Sequence, residues 1–176
     1  MAYSLRRVVT GHTLSGKSII VSDGPLPAGP ADHDSYIWTT TATPADNRGA
    51  ADGASAALRL EPPTAGSAFR VVEFPPAAAL AGLSAADKEG FFKQLFEGLG
   101  ASHCRVDTSR SPGMHKTSTV DYVIVLRGEV TLLLDEGEAT LKPGDVVVQR
   151  GTNHDWVVRG NQPALIAVVM LPADPV

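Results

Sequence analysis

Gly113-Met114-His115-Lys116-Thr117-Ser118-Thr119-Val120-Asp121-Tyr122-Val123-Ile124-Val125-Leu126-Arg127-Gly128 is the stretch on which the fold turns. It is β-branched and apolar, polar at alternate places near its start, and closed by a glycine. On a strand, residues two apart share a face. An extended backbone therefore puts His115, Thr117, Thr119 and Asp121 on one side, with Val123 and Val125 continuing it as an apolar floor. Some thirty residues on, Pro143-Gly144-Asp145 leads to Gly151-Thr152-Asn153-His154, again placing a histidine among strand sequence beside glycine turns. Histidine and carboxylate suit a borderline or hard divalent ion, and two strands of one barrel can bring them together.

The rest of the chain has the punctuation of an all-β protein with one helix. Strands are predicted at Arg6–Thr10, Ser18–Ser22, Ser35–Thr41 and Phe69–Phe74, the last stopped by Pro75-Pro76. Residues 25–33 read as a loop. The Ala/Gly/Pro-rich run from Asn47 to Gly66 reads as a surface excursion, with a short strand possible at Leu58–Leu60. Ser84–Leu99 is the one helix expected. Ser84 serves as N-cap with Asp87 three residues on, the stripe Phe91, Phe92, Leu95, Phe96 and Leu99 follows, and Gly98 and Gly100 supply the stop. That stripe predicts a helix packed across the outside of a barrel; ligand gating or a dimer contact is the alternative. From Val120 onward, predicted strands follow at Val120–Leu126, Glu129–Leu134, Glu138–Lys142, Val146–Gln149, His154–Val158 and Ala164–Leu171. Short strands at this pace suggest a sandwich or barrel.

Composition narrows the function classes. A length of 176 residues allows one sizeable core, and 43% hydrophobic with 19% charged residues is ordinary for a globular domain. With no repeat or linker in view, residues 1–176 are expected to form one domain. In it, 1–100 supply extra strands and the outer helix, and 113–171 the barrel core. A net charge of −4 without a basic run argues against a nucleic-acid partner. No apolar run approaches the ~20 residues of a membrane span, and the N-terminus has no signal-like segment. The single cysteine, Cys104, excludes an internal disulfide; a cytoplasmic location is the expectation.

The paired stretches resemble the two motifs of the cupin superfamily. His115 stands on the first histidine of the first motif, Asp121 on its glutamate and Gly128 on its closing glycine, while Thr117 replaces the second histidine. In the second motif Gly144, Gly151 and His154 match, with Gln149 in place of proline and Val158 in place of asparagine. Three of four ligand positions thus keep a ligating residue type. The resemblance implies a double-stranded β-helix, the jelly-roll barrel, with extra N-terminal strands and one outer helix. It also implies a divalent ion (iron, zinc, manganese or nickel) on His115, Asp121 and His154, which double as the candidate catalytic residues. Thr117, Thr119 and Trp156 are the candidate substrate contacts.

Each of these residues has a plainer reading. His154 can satisfy turn backbone, His115 can be exposed at its strand end, and Asp121, one methylene shorter than glutamate, can orient a histidine instead of touching metal. His12, His33 and His103 lie outside both motifs with no partner at metal spacing and are expected in loops or core. Cys104 is expected to be structural.

Two function classes follow. One is a metal-dependent enzyme acting on a small oxygenated organic molecule, of dioxygenase, decarboxylase, isomerase or dehydratase type. The other is a metal-free cupin using a His/Asp pair for acid–base chemistry, or one that only binds a small ligand. A homodimer is expected, because strands such as Phe69–Phe74 need partners beyond a minimal barrel.

Overall fold

The computed structural model describes residues 5–27, 33–49 and 51–175. Among them, ten strands form three antiparallel sheets. Strands β1 (Arg6–His12) and β2 (Ser18–Pro25) make a hairpin. A five-stranded sheet runs β3 (Asp34–Thr40), β4 (Ser67–Phe74), β10 (Ala164–Pro172), β5 (Thr119–Arg127), β8 (Val146–Arg150). A three-stranded sheet runs β7 (Glu138–Leu141), β6 (Val130–Leu134), β9 (His154–Val157). All-antiparallel pairing and the crossovers between the two larger sheets give a jelly roll.

The core lies between those sheets. Val123 and Val125 of β5, Ile166, Val168 and Met170 of β10, Val130 and Leu132 of β6, and Trp156 of β9 form one buried cluster. Strand β5 shows why: Thr119, Asp121, Val123 and Val125 are buried, while Tyr122, Ile124 and Leu126 are exposed. The period of two sorts each residue to one face. The outer face of β4 and β10 is covered separately, where Val71, Leu165 and Ala167 pack against Leu5, Leu26 and Ile37.

The N-terminal strands are not left without partners. β4 pairs with β10 from Ala68↔Met170 to Phe74↔Ala164, and β3 pairs with β4. The strand Phe69–Phe74 therefore extends the protomer's own sheet, which removes the reason first given for a dimer. The Leu58–Leu60 strand does not form. That segment is held by single contacts instead: the Leu60 amide donates to the Leu99 carbonyl and the Arg59 amide to the Tyr36 hydroxyl.

Helix α1 (Ala85–Gly98) starts and stops as its sequence requires. Ser84 Oγ accepts from the Asp87 amide and donates to the Asp87 carboxylate at 2.6 Å, and Gly100 turns the chain away at φ +66°. Gly128 carries the turn between β5 and β6. At φ +74°, a Cβ there would lie 2.5 Å from the Pro163 carbonyl oxygen. No helix among the described residues is long and apolar enough to cross a membrane.

Candidate functional site

A cavity of about 500 Å³ opens between the sheets. His115, Thr117, Asp121, Val123, His154 and Trp156 all line it, together with the apolar stripe of α1. Five of the six candidate site residues thus meet at one place. Thr119 is buried behind them, its Oγ1 2.7 Å from that of Thr117, and it hydrogen-bonds Asp121.

The two histidines are positioned by backbone. Their amides and carbonyls exchange reciprocal hydrogen bonds of 2.9 Å, an isolated antiparallel bridge that places the imidazoles 4.3 Å apart, centroid to centroid. Each Nδ1 lies 2.9 Å from the carbonyl oxygen two residues earlier, that of Gly113 for His115 and of Thr152 for His154. A carbonyl accepts only, so each Nδ1 carries the proton. Burial lowers the pKa of His115 to about 3, with further lowering from His154, and that of His154 to about 4. Both rings are then neutral near pH 7 and each Nε2 keeps its lone pair, as a metal-ligating imidazole must.

Local sequence makes these turns. Gly151 reaches φ +57°, Gln149 donates to Thr152, and Asn153 Nδ2 donates to the Asp107 carbonyl at 2.9 Å and to the Asp135 carboxylate at 2.8 Å. On the other side Gly113 is required by space, since a Cβ there would lie 2.6 Å from Asp155 Oδ1.

Asp121 is the third polar group. It is 4% exposed, its Oδ1 has no hydrogen-bond partner, and burial raises its pKa to about 6. An unpartnered buried carboxylate oxygen is costly unless something else meets it. Its ligand oxygens and the two imidazoles do not form a set whose atoms all lie within 4.8 Å of one another. The one group of three His, Cys, Asp or Glu ligand atoms all within 4.8 Å of one another, among the described residues, is Glu61, His103 and Cys104. His103, expected to lack partners, therefore has two.

The walls hold residues that motif reading missed. Helix α1 lies outside the sheets, yet Phe91, Phe92, Leu95, Phe96 and Leu99 line the cavity, and Phe96 packs on His115 with ring centroids 4.9 Å apart. Arg105 pins this wall through a bidentate contact with Glu89 at 2.8 Å and a bond to the Pro112 carbonyl. Leu58 and Leu60 of the excursion complete it. Arg70 is 2% exposed, pairs with Asp34, and donates to the carbonyls of Arg59 and Leu60. Its signal was legible in the alternation Ala68, Arg70, Val72, Phe74, which sets one arginine among inward apolar positions. Asp155, hydrogen-bonded to Ser111 and to the Trp156 amide, also reaches the cavity.

Residues 102–170 match the family model described as a cupin domain. The chain is 33% identical over 161 residues to Phomopsin biosynthesis cluster protein C' of Diaporthe leptostromiformis, an alignment covering 85% of this chain and 68% of that one. It is 28% identical over 195 residues to the cupin-domain-containing oxidoreductase virC of Hypocrea virens, covering 99% and 81% respectively. Among solved structures, a Cupin 2 conserved barrel domain protein of Salinispora arenicola overlaps 61% of this chain and 64% of its own, at 17% identity and a TM-score of 0.38.

Proposed function

We propose, from the premise that this chain belongs to the cupin superfamily and is a cupin-type enzyme or small-ligand binder, that it is a metal-dependent enzyme. Its substrate would be a small, largely apolar oxygenated molecule held in the barrel. The observation that carries this reading is a pair of adjacent imidazoles, 4.3 Å apart centroid to centroid, whose Nδ1 atoms are both committed to carbonyls, so that the Nε2 atom of each is the one left to ligate. His115 and His154 would hold a divalent ion through them, with the unpartnered Oδ1 of Asp121 as third donor. Bound there, the ion would polarise a substrate oxygen or support redox chemistry. The oxidoreductase description carried by the Hypocrea virens relative favours redox chemistry among the reaction types open to a cupin.

The chain's own groups then have distinct tasks. The Phe92, Phe96 and Trp156 rings and Val123 would take the apolar body of the substrate and exclude water. Among the polar groups that line the cavity, the Thr117 hydroxyl and the Arg70 guanidinium would fix its orientation. Metal analysis of protein purified without a histidine tag tests the reading; protein that holds no ion and takes up none from added zinc, iron or manganese overturns it.

A metal-free reading draws on two points: the ligand atoms of Asp121, His115 and His154 do not all lie within 4.8 Å of one another, and burial pushes the Asp121 carboxyl up to about 6. A carboxylate titrating there is suited to accept and return a proton near neutral pH. The readings separate on Asp121→Asn, which weakens ion retention in the first and abolishes turnover without touching ion content in the second.

We also propose a homodimer, now on different grounds. Tyr122, Ile124, Leu126, Val146 and Val148 form an exposed apolar face on β5 and β8. A cytoplasmic location remains the proposal consistent with one free buried cysteine.

A further inference from the structure

Glu61, His103 and Cys104 meet at one place, and none of the three lines the barrel cavity. Glu61 Oε2 lies 3.0 Å from His103 Nε2, and Cys104 Sγ lies 3.5 Å from the same nitrogen. That shared nitrogen excludes a nucleophilic relay, in which the two ring nitrogens divide between carboxylate and nucleophile. Burial and the nearby Glu61 carboxylate push the Cys104 thiol up to about 12, which also argues against a free thiolate nucleophile. The spacing has another meaning. Ligands of a tetrahedral zinc, at about 2.3 Å for sulfur and 2.0–2.1 Å for nitrogen or oxygen, stand roughly 3.3–3.7 Å from one another.

We propose that Glu61, His103 and Cys104 form a second metal site, of zinc type, separate from the barrel pair and completed by water. The His103 side chain is 68% exposed and that of Glu61 29%, so an ion has a route in. Binding displaces the Cys104 thiol proton to solvent and involves no change of oxidation state. The site would act as a clip. Glu61 Oε1 accepts from the Ser118 amide at 3.1 Å, and the Cys104 carbonyl accepts from the Lys116 amide at 2.8 Å. One ion would therefore tie the segment carrying Leu58 and Leu60 to the segment that follows His115, and so hold one wall of the cavity in place.

Cobalt(II) is the probe, because Cys104 is the chain's one thiol and a thiolate–cobalt charge-transfer band in the near ultraviolet reports its ligation alone. The expected result is a saturable band in the wild-type protein, displaced by zinc. It should be lost in Cys104→Ser and in the exposed, fold-neutral His103→Ala, and retained in the His115→Ala/His154→Ala double variant. Retention there keeps this site's test independent of the barrel reading. No band in cobalt excess overturns the proposal, as does a band that survives His103→Ala or one that vanishes from the folded double variant.

Discussion

The imidazoles of His115 and His154 face each other 4.3 Å apart across a bridge in which each residue's amide donates to the other's carbonyl. Ring separation is thus set by two backbone bonds and ring rotation by two more, at Gly113 and Thr152. His154→Ala keeps all the main-chain bonds and deletes one Nε2. It should retain the far-ultraviolet dichroism of the wild type and lose most of its barrel metal, measured by elemental analysis after dialysis. An unchanged metal content in a variant that also lacks Cys104 would remove His154 from the ligand set.

Acid should unfold the metal-free protein earlier than its carboxylates alone require. His115 and His154 have folded values of about 3 and about 4 against 6.5 for a free imidazole. Below pH 6.5 the unfolded chain takes up protons that the folded chain refuses, so stability falls as the pH drops from 6.5 toward 4. Urea titrations of metal-free protein between pH 4 and 7 should show this slope, and the His115→Ala/His154→Ala variant should flatten it.

Asp121 works in the opposite sense. Its folded value of about 6 exceeds the ordinary 3.8, so the folded state is penalised above pH 6 and relieved as the pH falls toward 4. Asp121→Asn removes a buried charge and should stabilise the metal-free protein at pH 7 by roughly 1–3 kcal/mol, while activity is lost. A variant less stable than the wild type at pH 7 would contradict this assignment of the cost.

Gly128→Ala should be among the most damaging single-methyl changes. It places a side chain at φ +74° and 2.5 Å from the Pro163 carbonyl oxygen, two separate penalties. A loss of roughly 2–4 kcal/mol is expected, read from the urea midpoint. Gly137→Ala, also at positive φ but with open space around it, should cost less.

Val146→Lys and Val148→Lys test assembly. Both positions are more than half exposed, so neither change disturbs the core. Light scattering at micromolar concentration should show a wild-type dimer and a monomeric double variant; a monomeric wild type ends the proposal.

Strand identity and the inward face of β5 were legible because local alternation writes both, and the helix because its cap and stripe are contiguous. The origin of the cavity walls was less visible. Phe96 meets His115, and Leu58 meets the barrel, through contacts between segments far apart in sequence, which no periodicity encodes. His103 shows the same limit. Its partner Glu61 lies 42 residues away, on a segment whose composition signals only a loop. Thr117, the departure at the second histidine position, is used locally: its hydroxyl meets that of Thr119 beneath the site.

The carbonyls of Gly113 and Thr152 belong to the main chain, so the acceptors that orient the two imidazoles are carried by no side chain. Substitution can move these anchors only by bending the backbone, never by deleting them. The walls, by contrast, are built of replaceable side chains on α1 and the excursion. Variation in this chain can therefore exchange what the barrel accepts while the imidazole pair that would act on it stays in register. The imidazole pair and the lining of the cavity are in that sense separately heritable.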